Sequence, residues 1–273
     1  MPLVYSNSFV TTVHRLNAGE LIARSHLLAT DCEAAASIRA ATASFAVSEA
    51  RWDILRSPEG RLNGGRDVVE LQGAEAYLGA GPVLRAATRA DGELPRRLLA
   101  ECVKGIIQSE TYLFPDRGFA DSETYEADWK KNYTGSCRLY SNRDYHGRSW
   151  FEHVAERAWS DSLFIRCKTA TVTAAGEGLA LSGSFSDSFH ELGVTLTIAD
   201  GAIAAAYGNF LRAPDPVCTR TPAVLAALRG RKLADIGKES IGQQIGGPQG
   251  CAHLADLIDF LLQAARAALA DRQ

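Results

Sequence analysis

GLALSGSFSDSFHELGVTLTIADGAIAAAYGNFLR, residues 178–212, is the stretch on which the fold turns. Apolar residues alternate with small polar ones in GLALSGSFSD, HELGVTLTIA and AIAAAYGNFLR, the period-2 pattern of strands that bury one face. Asp200-Gly201 joins the last two runs and is a strong two-residue hairpin cue. Upstream, LFIRCKTATVTA (163–174) reads as another strand, followed by a turn at Gly176-Glu177-Gly178. Downstream, Leu254, Leu257, Ile258, Leu261, Leu262 and Ala265 line one face of a helix expected from about Cys251 to Ala270. A β-meander closed by helices is an α+β unit.

The same order occurs nearer the N-terminus. FVTTVHRL (9–16), ELIARSHLLAT (20–30), CEAAASIRA (32–40) and SFAVSEARWDILR (44–56) read as strands, with a turn at Asn17-Ala18-Gly19. EGRLNGGR (59–66) reads as a Gly-rich loop, and Leu98, Leu99, Cys102, Val103, Ile106 and Ile107 recur at helical spacing after Pro95. Asp31, Val47, Ala50, Arg56 and Pro58 fall on Asp187, Ile203, Ala206, Arg212 and Pro214 at one offset of 156 positions. AECVKGIIQ (100–108) falls on ADLIDFLLQ (255–263) at an offset of 155. A near-constant offset through strands and helix reads as tandem duplication of an antiparallel β-meander plus C-terminal helices, forming a pseudo-two-fold pair. The expected parts are a first repeat at 1–112, a connecting segment at 113–160 and a second repeat at 161–273.

The connecting segment is rich in aromatics, with Tyr125, Trp129, Tyr133, Tyr140, Tyr145, Trp150, Phe151 and Trp159 beside His146 and His153. Short helices are expected at 122–131 and 148–158. These rings either seal the two repeats together or line a pocket.

Composition excludes several function classes. Hydrophobic residues make up 46% and charged residues 22%, which is globular composition. A net charge of −3 gives no footprint for nucleic acid or an anionic membrane. No run reaches the ~18 apolar residues that span a bilayer. MPLVYSNSFV lacks a basic n-region and a long apolar core, so no signal peptide is expected. The six cysteines are scattered without a CxxC pair and read as reduced thiols of a cytoplasmic protein. G-x-S-x-G, P-loop and Rossmann patterns do not occur, so no nucleotide cofactor is expected.

Four residues of the second repeat carry the chemistry best. His190 opens a strand, Cys218 follows the last strand, and Cys251 and His253 open the long helix. Imidazole and sulfur suit zinc or iron, so these four are the candidate metal ligands. Unpaired N–H groups and the helix dipole at that N-terminus are expected to favour thiolate at Cys251. Asp187 and Glu191 flank His190 and are candidates to orient it or act as bases, and alternation points Glu191 away from it. Tyr140, Tyr145 and His146 complete the catalytic candidates, as groups able to hold a phenolate. Arg212 could hold a carboxylate, although an arginine after a strand is more often a solvated charge. At the offsets above, Ala34 falls opposite His190 and Arg96 opposite Cys251, so the first repeat lacks the cluster and one site per chain is expected.

His190, Pro214 through Cys218, and Gly250-Cys251-Ala252-His253-Leu254 together resemble a bacterial domain-of-unknown-function family. Its pattern is a His opening a strand, Pro-x-x-x-Cys after the sheet, and Gly-Cys-x-His-Leu opening a helix. The resemblance covers about residues 164–265 and brings no assigned reaction. The arrangement is also similar to the iron–sulfur scaffold fold of the NifU and SufE type. There, cysteines occupy the positions of His190, Cys218 and Cys251. The resemblance implies the fold and the site's place in it. His190 in place of Cys, and the extra His253, depart from the scaffold and suit a mononuclear site equally.

Three function classes follow. The first is a lyase or hydrolase acting on a small aromatic or phenolic compound, with release of formaldehyde as one such reaction. The second is an iron–sulfur or metal carrier, and the third a binding module without chemistry. The expected partner is a small-molecule substrate, with no nucleic acid and no membrane; homodimerisation is left open.

Overall fold

Asp200 and Gly201 both take positive φ, 52° and 71°, as a type I′ turn demands, and the hairpin cue is met. The computed structural model describes residues 1–58, 60, 63–142, 149–154 and 160–270. Chain order gives strands β1 (Leu3–Asn17), β2 (Glu20–Ala29), β3 (Glu33–Ala41), β4 (Val47–Arg56) and β5 (Gly64–Asp67). Helices α1 (Ala80–Ala87), α2 (Glu93–Ser109), α3 (Ser122–Asn132), α4 (Arg138–Ser141) and α5 (Trp150–Val154) follow. Then come β6 (Ser162–Ala175), β7 (Gly178–Asp187), β8 (Glu191–Ala199), β9 (Ala202–Arg212), α6 (Lys238–Ile245) and α7 (Ala252–Ala270). The architecture is mixed α and β, with nine strands and helices packed on the antiparallel sheet. Among the described residues no helix is long and apolar enough to cross a membrane.

The chain forms two compact units. One comprises Met1–Asn7, Glu126–Ala155 and Lys168–Gln273; the other comprises Ser8–Tyr125 and Glu156–Cys167. In the first, strand order is β1-β6-β7-β8-β9, with Ala174 N donating to Pro2 O at 3.0 Å. Helix α7 lies on β7 and β8 and against α6. Leu254, Leu257, Ile258, Leu261 and Leu262 are wholly buried, each worth about 1.5–3 kcal/mol of transfer free energy. Gly183 admits that helix: a Cβ there would sit 2.9 Å from both Leu261 Cδ2 and Thr169 O.

In the second unit the order is β5-β4-β3-β2-β1-β6, and α2 packs on β2, β3 and β4. β5 overlaps the end of the stretch 59–66 expected to be a Gly-rich loop. It pairs Gly64 to Ile54 and Asp67 to Arg51 along the edge of β4. Paired backbone, not side-chain periodicity, makes this strand, so the Gly-Gly-Arg-Asp sequence carries no period-2 signal.

Local details recur between the two units. Register shifts fall at Glu33/Ala34 and Arg39/Ala40 on β3, and at Glu191/Leu192 and Thr197/Ile198 on β8. Ala29 N donates to Cys32 O at 2.7 Å, and Asp187 N to His190 O at 2.8 Å. Arg56 donates to Ala29 O and Thr30 O at 3.0 and 2.6 Å, and Arg212 donates to Asp187 O and Ser188 O at 2.6 and 2.9 Å. In this hydrogen-bond pattern Cys32, not Ala34, accepts in its turn as His190 does in its own.

Candidate active site around Asp187 and His190

The turn between β7 and β8 is built by one carboxylate. Asp187 Oδ1 accepts from Phe189 N at 2.9 Å and His190 N at 2.7 Å, folding the chain back on itself. The same oxygen lies 3.1 Å from His190 Nδ1. An ionised carboxylate only accepts, so Nδ1–H is the donor in this pair. Both side chains are buried, with Asp187 at 0% and His190 at 9% exposure. β8 begins at Glu191, so His190 precedes the strand and belongs to the turn.

His253 reaches this pair from the first turn of α7. Its ring centroid is 4.0 Å from that of His190 at 35°, and 5.1 Å from Phe185. Donor atoms of Asp187, His190 and His253 all lie within 4.8 Å of one another, so these three could hold a cation. Cys251 Sγ is 3.9 Å from His253 Nδ1. The turn before α7 permits this approach because a Cβ on Gly250 would lie 1.9 Å from Ile245 O, a contact open only to glycine.

Cys251 is not the thiolate that its helix position suggests. Burial pushes its pKa up to about 12, outweighing the backbone N–H groups of Leu254 and His253, and the neighbouring Cys137 and Cys218 push the same way. Cys218 is also raised to about 12, first by burial. It packs with Leu139 and Val217, against Cys137, Tyr140 and Ala213. Asp215 sets its place by capping the 3₁₀ helix Pro216–Leu228, accepting from Val217 N at 2.8 Å. Cys137 joins through the main chain, where Arg138 N donates to Gly250 O at 2.9 Å. Among the described residues, His190 and His253 thus share a ligand-sized cluster with Asp187, Cys251 approaches it through His253, and Cys218 packs beside Cys137 outside it.

Other candidates stand apart. Tyr140 OH accepts from Trp129 Nε1 at 2.7 Å, and burial holds its phenol above the ordinary range. Its remaining ring contact is with Tyr133, and among the described residues it meets neither histidine. Glu191 sits opposite Arg212 in the β8–β9 ladder and makes no hydrogen bond to His190. Tyr145 and His146 lie outside the described residues.

Three residues named in the sequence take roles there that the sequence reading did not give them. Trp150 meets Phe189 edge-on at 4.9 Å, and His153 Nε2 is 2.8 Å from Phe189 O, so α5 docks on the turn bearing His190. Arg212 is bound to three carbonyls of that turn and is not a solvated charge, adding His190 O at 3.3 Å to the two given above. The aromatic and histidine content of the segment signalled the first two; the match of Arg212 to Arg56 at the 156-residue offset singled out the third, though not its carbonyl contacts.

No curated protein and no solved structure matches the chain significantly. Residues 173–267, which hold Asp187, His190, Arg212, Cys218, Cys251 and His253 but neither Cys137 nor Trp150, match the model of a domain family described as "Protein of unknown function (DUF2889)".

Proposed function

We propose that this chain is a small-molecule lyase whose base is His190, held by Asp187. The observation that carries the reading is the buried 3.1 Å hydrogen bond from His190 Nδ1 to Asp187, with the His253 ring 4.0 Å away. A carboxylate on Nδ1–H fixes the tautomer and stabilises the imidazolium that forms when Nε2 takes a proton. His253 is the second proton-handling group at the centre. The aromatic neighbours Phe185, Phe189 and Trp150 favour a planar, phenolic substrate.

For a phenolic compound bearing a hydroxymethyl group, Nε2 takes the hydroxyl proton and the carbon–carbon bond breaks. Formaldehyde leaves, the electron pair stays on the carbon conjugated with the ring, and the imidazolium returns its proton there. The test is formaldehyde release from a panel of hydroxymethyl phenols. Asp187→Asn and His190→Gln each lower kcat by about 10²–10⁴, the usual worth of a positioned base. Unchanged turnover in His190→Gln would remove the assignment.

A second reading, a metal carrier, is favoured by the converging donors of Asp187, His190 and His253. It predicts stoichiometric zinc or iron in protein purified without chelator. We also read the matched bulges and arginine contacts as a duplicated NifU/SufE-like meander, and the free cysteines as a sign of a cytoplasmic setting. Matching hydrogen-exchange protection across the two bulges would support the first, and fractionation of the native cell tests the second.

A further inference from the structure

We propose that Arg212 is a positioning residue, a clamp that holds the Asp187–His190 pair in its working geometry. The inference rests on the reading of that pair as the reacting centre. Arg212 stands at the end of β9, opposite Glu191, where a register shift interrupts the β8–β9 ladder. A bulge leaves a strand residue out of the ladder and bends the strand locally. The guanidinium fills that gap, with Nη1 on Ser188 O at 2.9 Å and Nη2 on Asp187 O at 2.6 Å and His190 O at 3.3 Å.

Those three carbonyls belong to the turn that also bears the imidazole. One rigid fork therefore restrains the backbone of both members of the pair. Charged donors on backbone carbonyls make stronger bonds than neutral ones, so the restraint is stiff. Asp187 and His253 meet the His190 ring, Cys251 Sγ approaches His253 Nδ1, and His153 Nε2 lies against Phe189 O.

The protein carries its own control. Arg56 makes the same two contacts to Ala29 O and Thr30 O, across the same register shift, on a turn where Cys32 takes the place of His190. If the clamp served only to seal a bulge, the two arginines would be interchangeable in effect.

The experiment compares Arg212→Lys with Arg56→Lys. Lysine keeps the charge but offers its donors from one nitrogen, without the rigid planar fork that sets Nη1 and Nη2 on separate carbonyls. Histidine ring nitrogens are labelled with ¹⁵N, His190 is assigned by His190→Gln, and its tautomer and Nδ1–H proton resonance are read on the free full-length protein. Arg212→Lys is expected to shift the His190 tautomer population and lose the protected Nδ1–H signal. Arg56→Lys is expected to leave both as in the parent while lowering the melting temperature comparably. Equal loss of stability with an unaltered His190 ring in both variants overturns the proposal. Should Arg212→Lys unfold, Arg212→Gln carries the same readout, and failure of both to fold would make the arginine a folding device and reject the proposal. The ring signature needs no substrate, so absence of lyase turnover would sink the catalytic reading without touching this result.

Discussion

Cys251 sits at a helix start that favours its anion and in a burial that forbids it, and burial wins. Its folded-state pKa of about 12 lies above the ordinary 9.0. The folded chain therefore keeps a proton that the unfolded chain releases above pH 9, and the stabilisation present below that pH is lost as pH rises toward 12. Cys102 and Cys218 behave alike. Urea unfolding between pH 8 and about 12 should show falling stability, with a shallower fall in Cys251→Ala. An identical slope in that variant would contradict the buried-thiol account. At this scale the sequence singled out His190, Cys251 and His253 as residue types, and it marked Asp187 as a flank. It could not show that Asp187 Oδ1 gathers three N–H groups, because that follows from a turn whose geometry no side-chain pattern encodes.

Strand and helix partners were legible where periodicity met turn chemistry. β7, β8, β9 and α7 fall where alternation, Asp200-Gly201 and the Leu254 to Ala265 stripe put them. β5 was illegible because Gly-Gly-Arg-Asp presents no buried face, and α5 was legible as a helix but not as a partner of the His190 turn. Element packing makes a sharp prediction for two glycines of the sheet. Gly183→Ala puts a Cβ 2.9 Å from Leu261 Cδ2 and from the Thr169 carbonyl, so α7 must shift, at a cost of about 1–3 kcal/mol in denaturant unfolding. Gly193→Ala meets nothing nearer than Asn209 Oδ1 at 3.5 Å and should stay within about 0.5 kcal/mol of the parent. Equal destabilisation by the two would refute the claim that α7 needs a bare backbone beneath it.

On the scale of the whole chain, β1 and β6 each pass through both compact units, since the divisions fall inside them at residues 7–8 and 167–168. The unit with Asp187 and His190 thus draws on three separated segments. Expressed alone, residues 161–273 would lack Met1–Asn7, whose Pro2 carbonyl receives Ala174 N, and the α5 contact to Phe189. That fragment should lose cooperative unfolding and hydrogen-exchange protection in β6 and at the His190 turn, while the full chain keeps both. A fragment as protected as the parent would show that the interleaved segments are dispensable. The interleaving also constrains ancestry and engineering. No single cut in the gene yields either body whole, so recombination at one breakpoint cannot transplant this centre into another protein. It would travel only with the N-terminal heptapeptide and the aromatic linker sewn back alongside it.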